Sequence, residues 1–173
     1  MSIKVIDNLI SEEDFTKIFR TLMGEGFPWQ YTHFKIYNGE NRNDLKNFQF
    51  THIFYNKESI QSDFFDMISP IIDKLDALSL IKVKANLTTR WEKIEEFDPH
   101  VDNNIEGSRS AIFYITNNDG YTRFIEEDKR VDSVSNRIVI FPTNTLHVGS
   151  THTNTKTRIL ININYLPRTT DTL

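Results

Sequence analysis

Apolar positions near the start of the chain fall at helical spacing, with Phe15, Ile18, Phe19, Leu22 and Met23 standing at i, i+3, i+4, i+7 and i+8. Ser11 precedes them as an N-cap, and Gly24 and Gly26 follow as terminators. The pattern predicts one amphipathic helix that needs a surface to lie on. A second helical stretch is expected from Ser59 to Leu78, with Phe64, Phe65, Ile68, Ile71, Ile72, Leu75 and Leu78 on one face. Pro70 should kink it, or restart it with Ser69 as cap. Between the two, Phe27–Tyr31 and Phe48–Tyr55 read as short aromatic strands.

From residue 81 the period changes to that of strands. Candidates are Ile81–Thr89, Ser110–Thr116, Thr122–Glu126, Arg130–Val134, Arg137–Phe141 and Thr157–Tyr165. Turn-formers separate them: Asn103-Asn104, Asn117-Asn118-Asp119-Gly120, Ser135-Asn136 and Pro142-Thr143-Asn144. Many short strands at close spacing predict an antiparallel sandwich or barrel, mainly β, with the N-terminal helices packed on one sheet. In the last strand Ile159, Ile161, Ile163 and Tyr165 share one face, and Arg158, Leu160, Asn162 and Asn164 the other. Periodicity alone does not tell whether that second face meets water or a polar cavity.

At 173 residues the chain is expected to form a single domain, 1–173, without linker, repeat or low-complexity stretch. Residues 1–80 read as a helical and aromatic support region and 81–166 as the barrel core. Zero cysteines exclude disulfides, thiolate zinc sites, Fe–S clusters and cysteine nucleophiles, so any metal must be held by His, Asp or Glu. A net charge of −4 provides no global basic field for nucleic acid or an anionic membrane. The first ten residues make a poor signal peptide, since Lys4, Asp7 and Asn8 interrupt their apolar run, and no apolar segment is long enough to span a bilayer. A cytoplasmic protein is expected. The abundance of Ile (21) and Asn (16) hints at an AT-rich coding sequence such as some phages and bacteria have, with a phage protein in the host cytoplasm as one reading.

Five histidines are candidates for chemistry: His33, His52, His100, His147 and His152. In His100-Val101-Asp102 the imidazole and the carboxylate are two residues apart, so in an extended segment they project to one side and can converge on one ion. A second histidine from a distant strand would complete two His and one carboxylate, the facial triad of non-haem Fe(II) oxygenases. His147 is that partner by position, with Arg158 eleven residues beyond it on the next strand. His152 competes with it but falls in a Thr- and Asn-rich turn, read as solvated loop.

Residues 81–165 resemble the 2-oxoglutarate- and Fe(II)-dependent oxygenases, especially the prolyl-4-hydroxylase-like branch and its small phage and bacterial relatives. The resemblance is carried by HxD at His100–Asp102, the strand from Ala111 to Asn117, Gly120-Tyr121-Thr122-Arg123-Phe124, the Asn136–Gly149 block, and Arg158 before Asn162-Ile163-Asn164. It implies a double-stranded β-helix (jelly roll), with His100, Asp102 and His147 as iron ligands and Arg158 on the far carboxylate of 2-oxoglutarate. It also implies co-substrate contacts from Tyr114 and Asn86, O2 as second co-substrate and ascorbate as a reductant. Hydroxylation of a C–H bond with release of succinate and CO2 is then the expected reaction, on a small molecule or a peptide, with a peptidyl prolyl residue as one candidate. One departure stands out: relatives often carry serine two residues after the arginine, and here that residue is Leu160. Tyr114 could replace its hydroxyl, co-substrate affinity could be lower, or a different 2-oxo acid could be used.

Other readings compete. The same three ligands could hold Zn2+ in a hydrolase, which would leave Arg158 unexplained, or the barrel could be a non-catalytic binding module. His52 is expected to be a satisfied histidine in an aromatic strand, and His33 carries no pattern. Trp29, Trp91 and the phenylalanines are core by default. Arg90, Arg123 and Asn104 read as loop or strand-edge residues, and Glu126, Glu127 and Asp128 as a charged turn.

Overall fold

The computed structural model of the chain describes residues 3–33 and 48–168. Its elements begin with β1 (Lys4–Ile6), α1 (Glu12–Met23), β2 (Gln30–Thr32), β3 (Gln49–Asn56) and β4 (Ser59–Ile60). A 3-10 turn at Phe65–Ile68 leads into α2 (Ser69–Asp73) and the long β5 (Ala77–Thr89). The remainder is strands: β6 (Arg109–Tyr114), β7 (Tyr121–Phe124), β8 (Lys129–Asp132), β9 (Arg137–Pro142), β10 (His147–Gly149) and β11 (Thr157–Pro167).

All strand pairs are antiparallel. Among the described residues the larger sheet has eight strands, in the order β1-β9-β6-β11-β5-β3-β2 with β4 on β3, and the smaller has three, β10-β7-β8. Facing one another, they form the double-stranded β-helix. No helix among the described residues is long and apolar enough to cross a membrane.

The larger sheet is buried on both faces, which explains the unbroken apolar run Ile138-Val139-Ile140-Phe141 in β9. On the outer face Ala111, Phe113, Ile138, Ile140, Ile159, Ile161 and Ile163 pack against Phe15, Ile18 and Leu22 of α1 and against Ile68 and Ile71. On the inner face Ile112, Tyr114, Val139, Phe141 and Leu160 meet Phe124 and Val131 of the smaller sheet. Side-chain alternation thus sends one half of each central strand to the helical layer and the other half to the barrel interior.

Helix α1 follows its pattern: Asp14 N–H donates to Ser11 Oγ at 3.1 Å, and Gly24 ends it. Met23 alone of its apolar stripe turns outward, 48% exposed. The second expected helix is largely absent. Pro70 cannot donate to the carbonyl of Asp66, and Ser69 Oγ donates to that carbonyl instead at 2.9 Å rather than capping. The helix therefore restarts at Ser69 for five residues, Asp76 leaves helical geometry at φ 47°, and Leu78 lies in β5. Near Pro28 the chain is a turn, closed by Phe27 N–H to Gly24 O at 3.2 Å, so β2 starts only at Gln30. The expected charged turn of Glu126, Glu127 and Asp128 lies within a turn at 125–128, so β7 ends at Phe124, two residues before the strand end expected at Glu126.

Asn136 ties the N-terminal segment to the barrel. Its backbone is left-handed at φ 58°, its Nδ2 donates to Ile10 O at 2.9 Å, and its Oδ1 accepts from Ile10 N–H at 3.2 Å. Asn tolerates that conformation better than most residues.

Candidate metal centre and the cavity around it

His100 and His147 face each other across a short antiparallel bridge, each backbone N–H donating to the other's carbonyl at 3.0 Å. This pairing, joining residues far apart in the chain, holds the two rings 4.5 Å apart between centroids. Asp102 is tied to the same rim by its N–H to Thr143 O at 3.0 Å. One ligand atom from each of His100, Asp102 and His147 lies within 4.8 Å of the others, so the three expected residues do converge.

Hydrogen bonds select which atoms are presented. His147 Nδ1 lies 2.9 Å from Thr145 O and His100 Nδ1 lies 3.3 Å from Asp98 O. A carbonyl can only accept, so each Nδ1 carries the proton and each Nε2 is left as an open lone pair. Asp102 Oδ2 accepts from Ser110 Oγ and, at 3.2 Å, from Asn164 Nδ2, which also donates to Ser110 Oγ at 2.9 Å. Oδ1 remains, 3.9 Å from His147 Nε2. Burial and the neighbouring His147 push the His100 pKa below the ordinary histidine range, against the pull of Asp102, and this favours the neutral imidazole a metal requires.

The trio opens onto a cavity of about 440 Å3. Its floor is the polar face of β11 with the matching face of β5, paired in register as Arg158 with Thr88, Leu160 with Asn86 and Asn162 with Lys84. The ambiguous face of the last strand therefore turns inward, while Ile159, Ile161 and Ile163 join the outer core.

Arg158 is 4% exposed and, among the described residues, faces no carboxylate within 4 Å and donates only through Nη2 to Tyr121 O at 3.3 Å. Its Nε, with Asn86 Nδ2 and Thr88 Oγ1, is buried without a hydrogen-bond partner. Burial pulls the guanidinium pKa down, and an uncompensated buried cation is expensive. A cluster of unpartnered donors around a buried guanidinium fits a carboxylate, and two open imidazole lone pairs beside one carboxylate oxygen fit a divalent metal with positions to spare.

Tyr114 lies beside that guanidinium, its ring centroid 5.8 Å from Arg158 Cζ, with its hydroxyl donating to Thr122 Oγ1 at 2.8 Å. It stands behind the cavity wall, whereas Asn86 is part of it. The residues that sequence reasoning missed are Lys84, Thr88 and Asn162 on the floor and Ser110 and Asn164 behind Asp102. Thr88 lies two residues past Asn86 on the same strand face, a signal available in the sequence.

Other candidates fall elsewhere. His152 is not in a solvated turn: it is fully buried, because residues 150–152 pair with the segment before His100 through Thr151 N–H to Glu95 O and Trp91 N–H to His152 O, both 2.9 Å. It takes no part in the metal cluster. His52 is a satisfied histidine, its ring nitrogens at Pro28 O (3.1 Å) and Ser62 Oγ (2.7 Å). Arg123 is held by Glu96 and Arg90 by Thr153 O, and His33 and Asn104 lie at the surface.

The chain matches no family profile and no curated protein sequence. Among solved structures it is similar to the viral collagen prolyl hydroxylase of Paramecium Bursaria Chlorella virus-1 in complex with 2OG, at 13% identity and TM-score 0.60, covering 96% of this chain and 97% of that one. It is also similar to a prolyl hydroxylase from Trichoplax adhaerens bound to a hypoxia inducible factor peptide, at 13% identity and TM-score 0.67, covering 95% and 83%. The epimerase SnoN in complex with Fe3+, alpha ketoglutarate and nogalamycin RO matches at 10% identity and TM-score 0.68, covering 98% and 82%. The chain thus has the fold of the 2-oxoglutarate/Fe(II) oxygenases, prolyl hydroxylases included.

Proposed function

We propose that the chain is a non-haem Fe(II)- and 2-oxoglutarate-dependent oxygenase that hydroxylates a C–H bond of an organic substrate and releases succinate and CO2. The observation that carries this reading is one cavity holding both the His100, Asp102 and His147 cluster and a buried guanidinium with no carboxylate partner among the described residues. Fe(II), when bound, supplies the redox chemistry that couples decarboxylation of the 2-oxo acid by O2 to substrate oxidation, with ascorbate as an external reductant.

The chain's own residues do the rest. His100 Nε2, Asp102 Oδ1 and His147 Nε2 would hold the metal. Ser110 and Asn164 occupy Oδ2 and so fix which oxygen Asp102 presents. Arg158 clamps the far carboxylate of 2-oxoglutarate with its planar fork. Asn86 Nδ2 and Thr88 Oγ1 add neutral donors, and Thr88, directly across from Arg158, supplies the hydroxyl that Leu160 lacks. Tyr114 supports the guanidinium from behind. Residues 81–166 form the catalytic half of a single domain, with 1–80 as its support. Likeness to prolyl hydroxylases, one with a peptide bound, makes a peptidyl proline the first substrate to test.

Asp102→Ala and His147→Ala should each abolish iron-dependent succinate formation. Unchanged turnover in both variants would overturn the assignment. Fe(II) and 2-oxoglutarate mixed without O2 should give a visible charge-transfer band, which a zinc hydrolase using the same ligands would lack.

A further inference from the structure

Lys84 is a second cation in the cavity, and nothing in the reaction described above uses it. Strand β5 sends Lys84, Asn86 and Thr88 to the cavity side and Val83 and Ala85 to the outer core. Lys84 pairs in register with Asn162, one step along the floor from Asn86 and Leu160 and toward the Asn164 that holds Asp102. The residue is half-buried, and its ammonium group makes no hydrogen bond and no ion pair within 4 Å among the described residues. Beside it, Asn162 Oδ1 is buried without a partner.

Charge decides what belongs there. Among the described residues the cavity walls hold Arg158 and Lys84 against the single carboxylate of Asp102. A divalent metal raises the balance to three positive charges, and the two carboxylates of 2-oxoglutarate leave one. A cation held away from water without a counter-ion is costly, so a site that keeps one is built for an anion that arrives. The cavity, about 440 Å3, has more room than a five-carbon diacid fills.

We propose that Lys84 is the subsite for a carboxylate on the primary substrate, so that the molecule oxidised carries an acid group near the reacting carbon. This rests on the oxygenase reading and narrows it: a neutral prolyl residue inside a peptide would leave the ammonium unpaired, whereas a free amino acid, or an acidic residue of a peptide, would satisfy it. Lys suits the task as a compact point charge on a flexible stem, with Arg158 reserved for the bidentate contact.

The test is a binding titration read at Lys84 itself. Protein labelled with 13C at lysine Cε is loaded with Zn2+ and saturated with 2-oxoglutarate, and the Lys84 resonance is assigned by its loss in Lys84→Met. L-Proline, L-aspartate and L-glutamate are then added beside their amides, with a capped peptide containing one internal aspartate as a separate arm.

The expected result is a saturable shift of the Lys84 resonance with at least one acid, at least about tenfold weaker binding of its amide, and loss of that difference in Lys84→Met. Lys84→Arg should retain it. Response to the free acids or to the peptide tells which source the site takes. The proposal falls if no acid moves the resonance at millimolar concentration. It also falls if 2-oxoglutarate alone saturates the shift and Lys84→Met weakens 2-oxoglutarate about tenfold, since Lys84 would then serve the co-substrate.

Should the wild-type protein bind no 2-oxoglutarate at all, the oxygenase reading fails by itself. The acid and amide pairs on the Zn2+-loaded protein then decide Lys84 independently. If Lys84→Met does not fold, the wild-type ratio of acid to amide and the response of the resonance still decide.

Discussion

Gly120 lies directly against Arg158: a Cβ at residue 120 would stand 3.0 Å from both Cδ and Nε of the arginine, and 2.9 Å from Asn118 Oδ1. The missing side chain is thus a space filled by the guanidinium stem, which connects the Gly120-Tyr121-Thr122 segment to the proposed co-substrate site. Gly120→Ala should displace Arg158 and weaken 2-oxoglutarate binding by about tenfold while metal affinity stays within a factor of about two. Calorimetric titration of the Zn2+-loaded variant measures both, and an unchanged 2-oxoglutarate affinity would show that Arg158 is not the clamp.

Arg158 itself is held at a cost. Removing an unpaired buried cation relieves desolvation, so Arg158→Met should leave the ligand-free protein as stable as wild type or more so. Ligand stabilisation grows with the ratio of concentration to Kd, so the rise in Tm on adding 2-oxoglutarate to the Zn2+-loaded protein should vanish in this variant. Arg158→Lys should restore little of it, because an ammonium cannot make the bidentate contact. A full shift in Tm in the Met variant would contradict the role.

The Ser110, Asn164 and Asp102 triangle predicts positioning effects on the metal. Ser110→Ala or Asn164→Ala frees Oδ2 and lets the carboxylate rotate, and second-layer losses of this kind weaken metal binding by about 10- to 100-fold. Competition with a metal chelator reads the affinity directly. If both variants keep wild-type affinity, Asp102 is oriented by the backbone alone.

These relationships differ in how far the sequence discloses them. His100 and Asp102 are readable because a two-residue spacing places both on one side of an extended chain, and the Ile159, Ile161, Ile163 alternation predicts the buried face of β11. Thr88 is readable only as a same-face neighbour of Asn86, and Lys84 and Asn164 are not readable in the same way, since their meaning depends on the register of β5 against β11 and on which face meets the cavity. Strand β10 is three residues long and exists because it pairs with β7, so local propensity carries no trace of it. The Ser59–Leu78 pattern failed where Pro70 and tertiary pairing overrode a helical period.

Asn136 provides a stability test away from the site. Asn136→Ala leaves the N–H and C=O of Ile10 without their partners and places an alanine at positive φ. Each buried group left unsatisfied costs about 1–3 kcal/mol, so the variant should lose several kcal/mol in urea unfolding. Asn136→Gly tolerates the backbone but not the loss of hydrogen bonds, and should recover only part. Equal stability of Gly variant and wild type would assign the role of Asn136 to its conformation alone.

Lys84 makes stability depend on pH in a defined direction. Burial, with Lys82 adding to it and Asp102 opposing, pushes its pKa down to about 8, against about 10.4 in an unfolded chain. Between those values the unfolded chain holds a proton that the folded protein has released, so stability rises with pH across that window. Below about pH 8 the penalty of housing the ammonium is fully present; by about pH 10.4 it is gone. Lys84→Met removes the penalty, so the metal-free variant should be the more stable protein at about pH 7, with the difference closing as pH is raised through the window. Groups that titrate in both proteins cancel in that difference. Urea unfolding of the pair at several pH values measures it, and a gap that stays constant with pH would mean that Lys84 reaches solvent freely and that the cavity holds no buried cation other than Arg158.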